Sequence, residues 1–261
     1  MATWTAFPYD NAAYTFSSAA LKKNWSRLHV GDAEPLPKDA ALLAGWALFH
    51  AGEFQKAFDT AMKLVAAGNS AAITLANKSQ AIYATYLEKS EKTRLAMFQE
   101  VAARAEAQAA ADPANPNAHY WMAYALGRYS QGISVTKALT QGLGGKVKNA
   151  LETTLKLAPQ HADAHIALGT FHAEVIDKVG KLLGRTQGAD ASTGLKLFME
   201  ALKLNLGSAI AMVEYANGLV MLEGEKRMKE AEALYAKAAA CEAADAMERL
   251  DIEMAKAELA D

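Results

Sequence analysis

Helix-breaking clusters recur along this chain at intervals that leave room for single helices between them, and that spacing limits the fold more than any motif does. The clusters are EPLPKD at 34–39, AAGNS at 66–70, ADPANPN at 111–117, QGLGG at 141–145, LAPQHAD at 157–163, GRTQGADAST at 184–193 and LEGEK at 222–226. Proline removes a backbone donor and glycine loosens the chain, so helices end at such places. Between the clusters alanine, leucine, lysine and glutamate dominate, with apolar residues three and four apart nearly everywhere after Tyr14. Alternating β-branched runs are missing. The expectation is an all-α chain of antiparallel helix hairpins.

Composition bounds what such a chain can do. Its 261 residues are 52% hydrophobic and 21% charged, with a formal net charge of −2. A near-neutral balance supplies no basic field for nucleic acid or an anionic membrane surface. The single cysteine, Cys241, precludes an intrachain disulfide and a thiolate zinc site. MATWTAFPYDNAAYTF has no basic start and no apolar run, so it does not read as a signal peptide. No stretch approaches the ~20 apolar residues of a membrane span, so no membrane insertion is expected. A cytoplasmic location is the default; a periplasmic one is the alternative if an export signal has been removed.

The breaker spacing prompts a search for repeats. Residues 45–64, GWALFHAGEFQKAFDTAMKL, place Gly45, Gly52, Phe54 and Ala57 at seven-, two- and three-residue steps. Leu168-Gly169, then Phe198 and Ala201 after an insertion, follow the same scheme. So do Ala216, Ala231, Tyr235 and Ala238, and a unit near Ala118 with Trp121 and Ala125. This resembles the tetratricopeptide repeat (TPR), a helix–turn–helix of about 34 residues. Its small residues let paired helices approach while large ones fill the adjoining space. In that register Gly45, Ala125, Gly169 and Ala216 take position 8, Trp121 and His165 position 4, and His172 position 11. Residues 72–112 form two helices without a clear register. The resemblance implies a TPR-like superhelix of about five antiparallel hairpins over 38–241. An N-terminal segment, 1–37, carries a packing helix, and 242–261 form a capping helix with Met247, Leu250, Met254 and Leu259 on its apolar side.

Three of six histidines fall in HADAHIALGTFHAEV at 161–175. On a helix His161, His165 and His172 lie within roughly 40° of one another, which invites a metal. Seven residues of helical rise, however, separate His165 from His172 by about 10 Å. Positions 4 and 11 call for large packed side chains, so these histidines read as structural and no metal is assigned. GLGGKVK at 142–148 lacks the serine or threonine of a phosphate loop and follows a helical stretch; it reads as a flexible insertion. The run HYWMAYALGRY at 119–129 reads as a repeat helix, and the basic segments KVGKLLGR and EKRMKEAE read as solvated faces. No convergent acid, base or nucleophile set is visible, so neither catalytic residues nor a cofactor is expected.

In a TPR superhelix the first helix of each hairpin lines the concave wall. The resemblance then selects Leu42, Trp46, Phe49 and His50 from the first unit. The unit from 118 supplies His119, Met122, Leu126 and Tyr129; the next supplies Asp163, Ile166, Thr170 and Glu174; the last supplies Ile210, Val213, Asn217 and Met221. Position 5 is Leu, Met, Ile or Val in the aligned units, which disfavours a carboxylate clamp and predicts an apolar groove for an amphipathic helix or extended peptide. Trp46, Phe49, Met122 and Tyr129 are the leading contacts. In a tightly wound array these residues would instead touch the chain's own terminal helices, with Tyr14, Phe16, Leu21, Trp25 and Leu28 as candidates for that cover.

Over 115–220 the order is NPNAHYWMAYALGRYSQG, a long glycine-containing insertion, KVKNALETTLKLAPQHADAHIALGTFHAEV, a long helix to about Leu183, a loop, and GLKLFMEALKLN. This layout resembles the regulator of microtubule dynamics family, which implies a tethering protein. It is similar in layout to the T-component of TRAP-type solute transporters, which implies a periplasmic, oligomeric accessory holding a ligand. The sequence therefore predicts a non-enzymatic scaffold with a protein or peptide partner, self-association being a further option. Nucleic acid is not expected as a partner.

Overall fold

Short polar side chains start six of the helices, because each satisfies an amide that the first turn leaves without a carbonyl. The computed structural model describes residues 3–260, and no strand occurs among them. The first two residues of the N-terminal segment and the last of the capping helix lie outside the described residues. Ser17 caps α1 (Ser18–Leu28), and Asp39 caps α2 (Ala40–His50) by accepting the Leu42 amide at 2.7 Å. Next come α3 (Phe54–Ala66), α4 (Ala72–Tyr86) and α5 (Glu91–Ala111), the last capped by Ser90. Asn115 caps α6 (Pro116–Gln131), whose first residue is a proline that has no amide to lose. Then follow α7 (Val135–Thr140), α8 (Leu143–Leu157) and α9 (Ala162–Thr186). Asp190 caps α10 (Ala191–Leu204) and Ser208 caps α11 (Ala209–Glu223); α12 (Met228–Ala239) and α13 (Ala246–Glu258) complete the chain.

The chain divides into two compact units. The first holds the residues up to His29, Glu34–Ser134 and Ala244–Met247; the second holds Val30–Ala33, Val135–Ala243 and the residues from Glu248 onward. In the first unit α2, α4 and α6 neighbour one another in order, with α3 and α5 packed beside them. Having α2, α3, α5 and α6 around it, α4 is buried almost throughout, its Thr74, Asn77, Lys78, Ser79 and Gln80 included. Residues 72–112, which had no clear register in sequence, form the hairpin α4/α5. Gly45 turns inward, where an added methyl would meet Leu75 Cδ2 at 2.7 Å.

In the second unit α9 and α11 pack together, with α8, α10 and α12 beside them. Phe198 of α10 is fully buried and stacks on Tyr215 with ring centroids 5.6 Å apart. A β-carbon on Gly169 of α9 would stand 3.0 Å from that ring, and one on Gly218 of α11 only 2.5 Å. The two glycines thus let one aromatic ring fill the space between three helices. On α13, Ile252 and Ala255 pack with Val213, Ala209 and Ala238. Leu250 is buried, but Leu259, one residue past the end of α13, is exposed.

Two local expectations are corrected. Residues 143–148 are not a flexible insertion: they open α8 directly after Gly142, whose φ of +62° suits glycine. The helix expected to run to Leu183 breaks at Gly180, with φ 81° and ψ 161°, and helix resumes beyond it. An added methyl at Gly184 would lie 3.1 Å from Ile176 Cγ1, so the chain doubles back there.

Candidate functional site

The caps supply an alignment that the sequence pattern only approximates. His165 Nε2 contacts the Pro159 carbonyl at 2.9 Å, and His119 Nε2 contacts the Pro113 carbonyl at the same distance. Each histidine stands four residues beyond its cap, His161 or Asn115. The two are therefore equivalent, and the unit from 118 is displaced by two residues from the register that put Trp121 at position 4 and Ala125 at position 8. Ala123 takes the place of Gly169 and Ala216.

Aligned in this way, α6, α9 and α11 share one pattern of exposure. The residue five beyond the cap is buried in each: Tyr120, Ile166 and Val213. The residues nine and thirteen beyond are half-buried: Tyr124 and Arg128, Thr170 and Glu174, Asn217 and Met221. These six are not an apolar set. The Arg128 guanidinium lies 5.4 Å from the Tyr124 ring centre, and the Tyr124 hydroxyl is 2.8 Å from that of Thr85. Thr170 donates to Glu214 at 3.1 Å, Glu174 lies 3.7 Å from Lys178, and the Tyr235 hydroxyl donates to Asn217. Tyr124 and Arg128 were absent from the expected contacts, whereas Met221 was among them. The signal that finds the first two is the shared step of six residues from proline to histidine in DPANPNAH and APQHADAH.

Much of the apolar groove expected from sequence is interior. Leu42, Trp46, Phe49 and His50 are all buried within the first unit. Trp25 of α1 sets its ring edge-on to Trp46 at 5.8 Å, so the cover foreseen for terminal helices exists there. Tyr129 is buried as well and cannot serve as an open contact. Ile166 packs with Phe198 and Leu219, and Val213 sits under α13, which removes both from any surface. His119, Met122 and Leu126 remain half-exposed, as do Thr170, Glu174 and Asn217.

Titratable clusters lie inside the first unit. His50 Nδ1 is 2.7 Å from the Asp245 carboxylate, and His50 Nε2 is 3.3 Å from His29 Nε2. One of the facing nitrogens donates and the other accepts, which aligns each ring along the bond rather than toward a shared ion. All three side chains are buried, so the line ties the segment around Asp245 to α2 and offers no surface to a substrate. Between α4 and α5, Arg104 donates to Asn77 at 2.7 Å and to Gln80, which in turn donates to Glu100 at 2.6 Å. Burial brings the Arg104 pKa down to about 10, still cationic near neutrality. The Lys78 ammonium stands over Phe49 at 5.2 Å and Trp46 at 5.7 Å, a cation–π arrangement. Trp46 Nε1, Ser79 Oγ and Trp121 Nε1 are buried without a hydrogen-bond partner.

The histidines of α9 are each engaged. His161 Nδ1 accepts the Ala164 amide at 3.1 Å and caps the helix. His172 Nδ1 accepts the Asp190 amide at 3.0 Å; burial first, then the Lys148 cation, hold its pKa below the ordinary value. Among the described residues no group of three or more His, Cys, Asp or Glu side chains could hold a metal ion.

Comparison with known proteins follows the fold. Residues 46–257 match the family described as regulator of microtubule dynamics protein 1-3. The crystal structure of TTC0263, a thermophilic TPR protein in Thermus thermophilus, superposes with a TM-score of 0.59 at 17% identity, covering 83% of this chain and 97% of that one. The architecture is thus TPR-like, all-α and repetitive. No curated protein matches the chain.

Proposed function

The chain belongs to the regulator of microtubule dynamics protein 1-3 family, and from that premise we propose that it is a non-enzymatic scaffold that binds protein partners through half-buried strips on α6, α9 and α11. The observation that carries the reading is the recurrence, nine and thirteen residues beyond three helix caps, of side chains neither buried nor fully solvated. Such sites bind a polypeptide with little further ordering, because neighbours already hold the side chains in place. The strips are mixed in character, so hydrogen bonds and the Arg128 and Glu174 charges select the partner alongside apolar contact with Tyr124 and Met221.

The family's description makes assembled microtubules the first partner to try. Co-sedimentation with stabilised microtubules is expected for the native chain. Arg128→Glu, and separately Glu174→Arg, should each weaken it by about tenfold or more while leaving the thermal midpoint nearly unchanged. Equal binding by the variants refutes the strips, and no co-sedimentation of the native chain refutes tubulin as the partner.

A second reading, a solenoid holding a small ligand, is favoured by the orphaned Trp46, Ser79 and Trp121 atoms. Buried donors normally have acceptors, and either ordered water or a ligand would supply them. Native mass spectrometry after mild purification distinguishes the two: a stoichiometric adduct supports the ligand.

A further inference from the structure

One end of the second unit combines exposed leucines with cations. Past the turn at Gly180, Gly184 faces inward against Ile176, which leaves Leu182 and Leu183 outside at 81% and 59% exposure. The start of α8 reaches the same region: Gly144 faces the Phe171 ring, and the Lys148 side chain lies against Gly188. Immediately before α8, the short helix α7 buries none of its residues, and Val135 and Leu139, one turn apart, are 41% and 52% exposed. A single exposed leucine needs no explanation; two adjacent ones set between Lys181 and Arg185 do.

The local charge is opposite in sign to that of the whole chain. Residues 135–148 contain Lys137, Lys146 and Lys148 and no acid, while 177–188 contain Lys178, Lys181 and Arg185 against Asp177 alone. Lys148 and Lys178 have partners in Glu152 and Glu174. The chain overall carries −2.

We propose that this end docks on an anionic lipid surface. Leu182 and Leu183 enter the headgroup region while Lys181, Arg185 and Lys146 meet the lipid phosphates. Apolar side chains flanked by cations are what an interfacial contact requires. Two leucines at the apex of a turn offer neither a sheet edge nor a groove to a polypeptide, whereas a soft bilayer needs neither. The contact is peripheral: among the described residues, no helix is long and apolar enough to cross a membrane.

Vesicle co-sedimentation tests this with phosphatidylcholine alone and with phosphatidylcholine mixed with phosphatidylserine. The native chain should bind the mixed vesicles, bind the neutral ones far less, and dissociate as salt is raised. Leu182→Glu with Leu183→Glu should weaken binding by about tenfold or more, and so should Lys181→Glu with Arg185→Glu. Circular dichroism should show both variants folded, since the four side chains are exposed. No binding to the mixed vesicles overturns the proposal. So does a loss confined to the charge variant, which would leave the leucines with no part in the contact. The outcome is independent of the microtubule test, because the strip variants leave these residues intact.

Discussion

At the scale of single residues the second unit turns on Phe198. Replacing it with alanine removes the ring between α9, α10 and α11 and should cost about 3–5 kcal/mol, read as the free energy of urea unfolding. The complementary change is Gly218→Ala, which places a methyl 2.5 Å from a fully buried ring. That overpacking should destabilise by about 1–3 kcal/mol, although alanine is ordinarily the better helix former. A gain in stability would show that the ring has room to move. His172 supplies a pH dependence. Its folded pKa lies below the unfolded value, so the unfolded chain binds the proton more readily, and stability falls as pH drops below about 6.5 toward the folded pKa. Protonation also ends the acceptance of the Asp190 amide by Nδ1. Thermal midpoints measured between neutral and mildly acidic pH should decline, and the decline should be smaller in His172→Gln.

At the scale of elements, caps and breaks set the boundaries. Ser208→Ala removes the side-chain acceptor of the Ala211 amide at the start of α11 and should cost about 1 kcal/mol. Gly180 holds a backbone conformation that is nearly glycine's alone, so Gly180→Ala should cost on the order of 1–3 kcal/mol unless the helix straightens. Faster amide exchange confined to residues near 176–189 would locate the effect. These elements also show what could be read from sequence. Gly45, Gly169 and Ala216 declared close helix approaches because small residues at helical spacing have few other uses, and all three are buried. The two-residue displacement of α6 escaped notice because Trp121 and Ala125, also buried, imitate a large-then-small pair. The break in α9 escaped because a lone glycine in a helical pattern is usually tolerated. The hairpin α4/α5 gave no register because α4 is enclosed on every side and so has no polar face to mark its period.

At the scale of the molecule, exposure separates function from stability. Leu182→Glu with Leu183→Glu should leave the unfolding free energy within about 0.5 kcal/mol of the native chain, whereas Ile252→Ala, on the buried side of α13, should cost about 2–5 kcal/mol. Reversed magnitudes would mean that the leucines are covered and that α13 is not. The periodicity of apolar residues and the breakers were sufficient by themselves for the class, the repeat and most helix limits, because these depend on contacts a few residues apart. Which faces stay open depended on side chains brought together from far along the chain. Trp25 covers Trp46, Ile252 covers Val213, and Asp245 reaches His50, and no local pattern encodes such meetings. A concave position in one repeat and a core position in another look alike in sequence; only the arrival of a terminal helix, driven by burial of its own apolar side, makes them different.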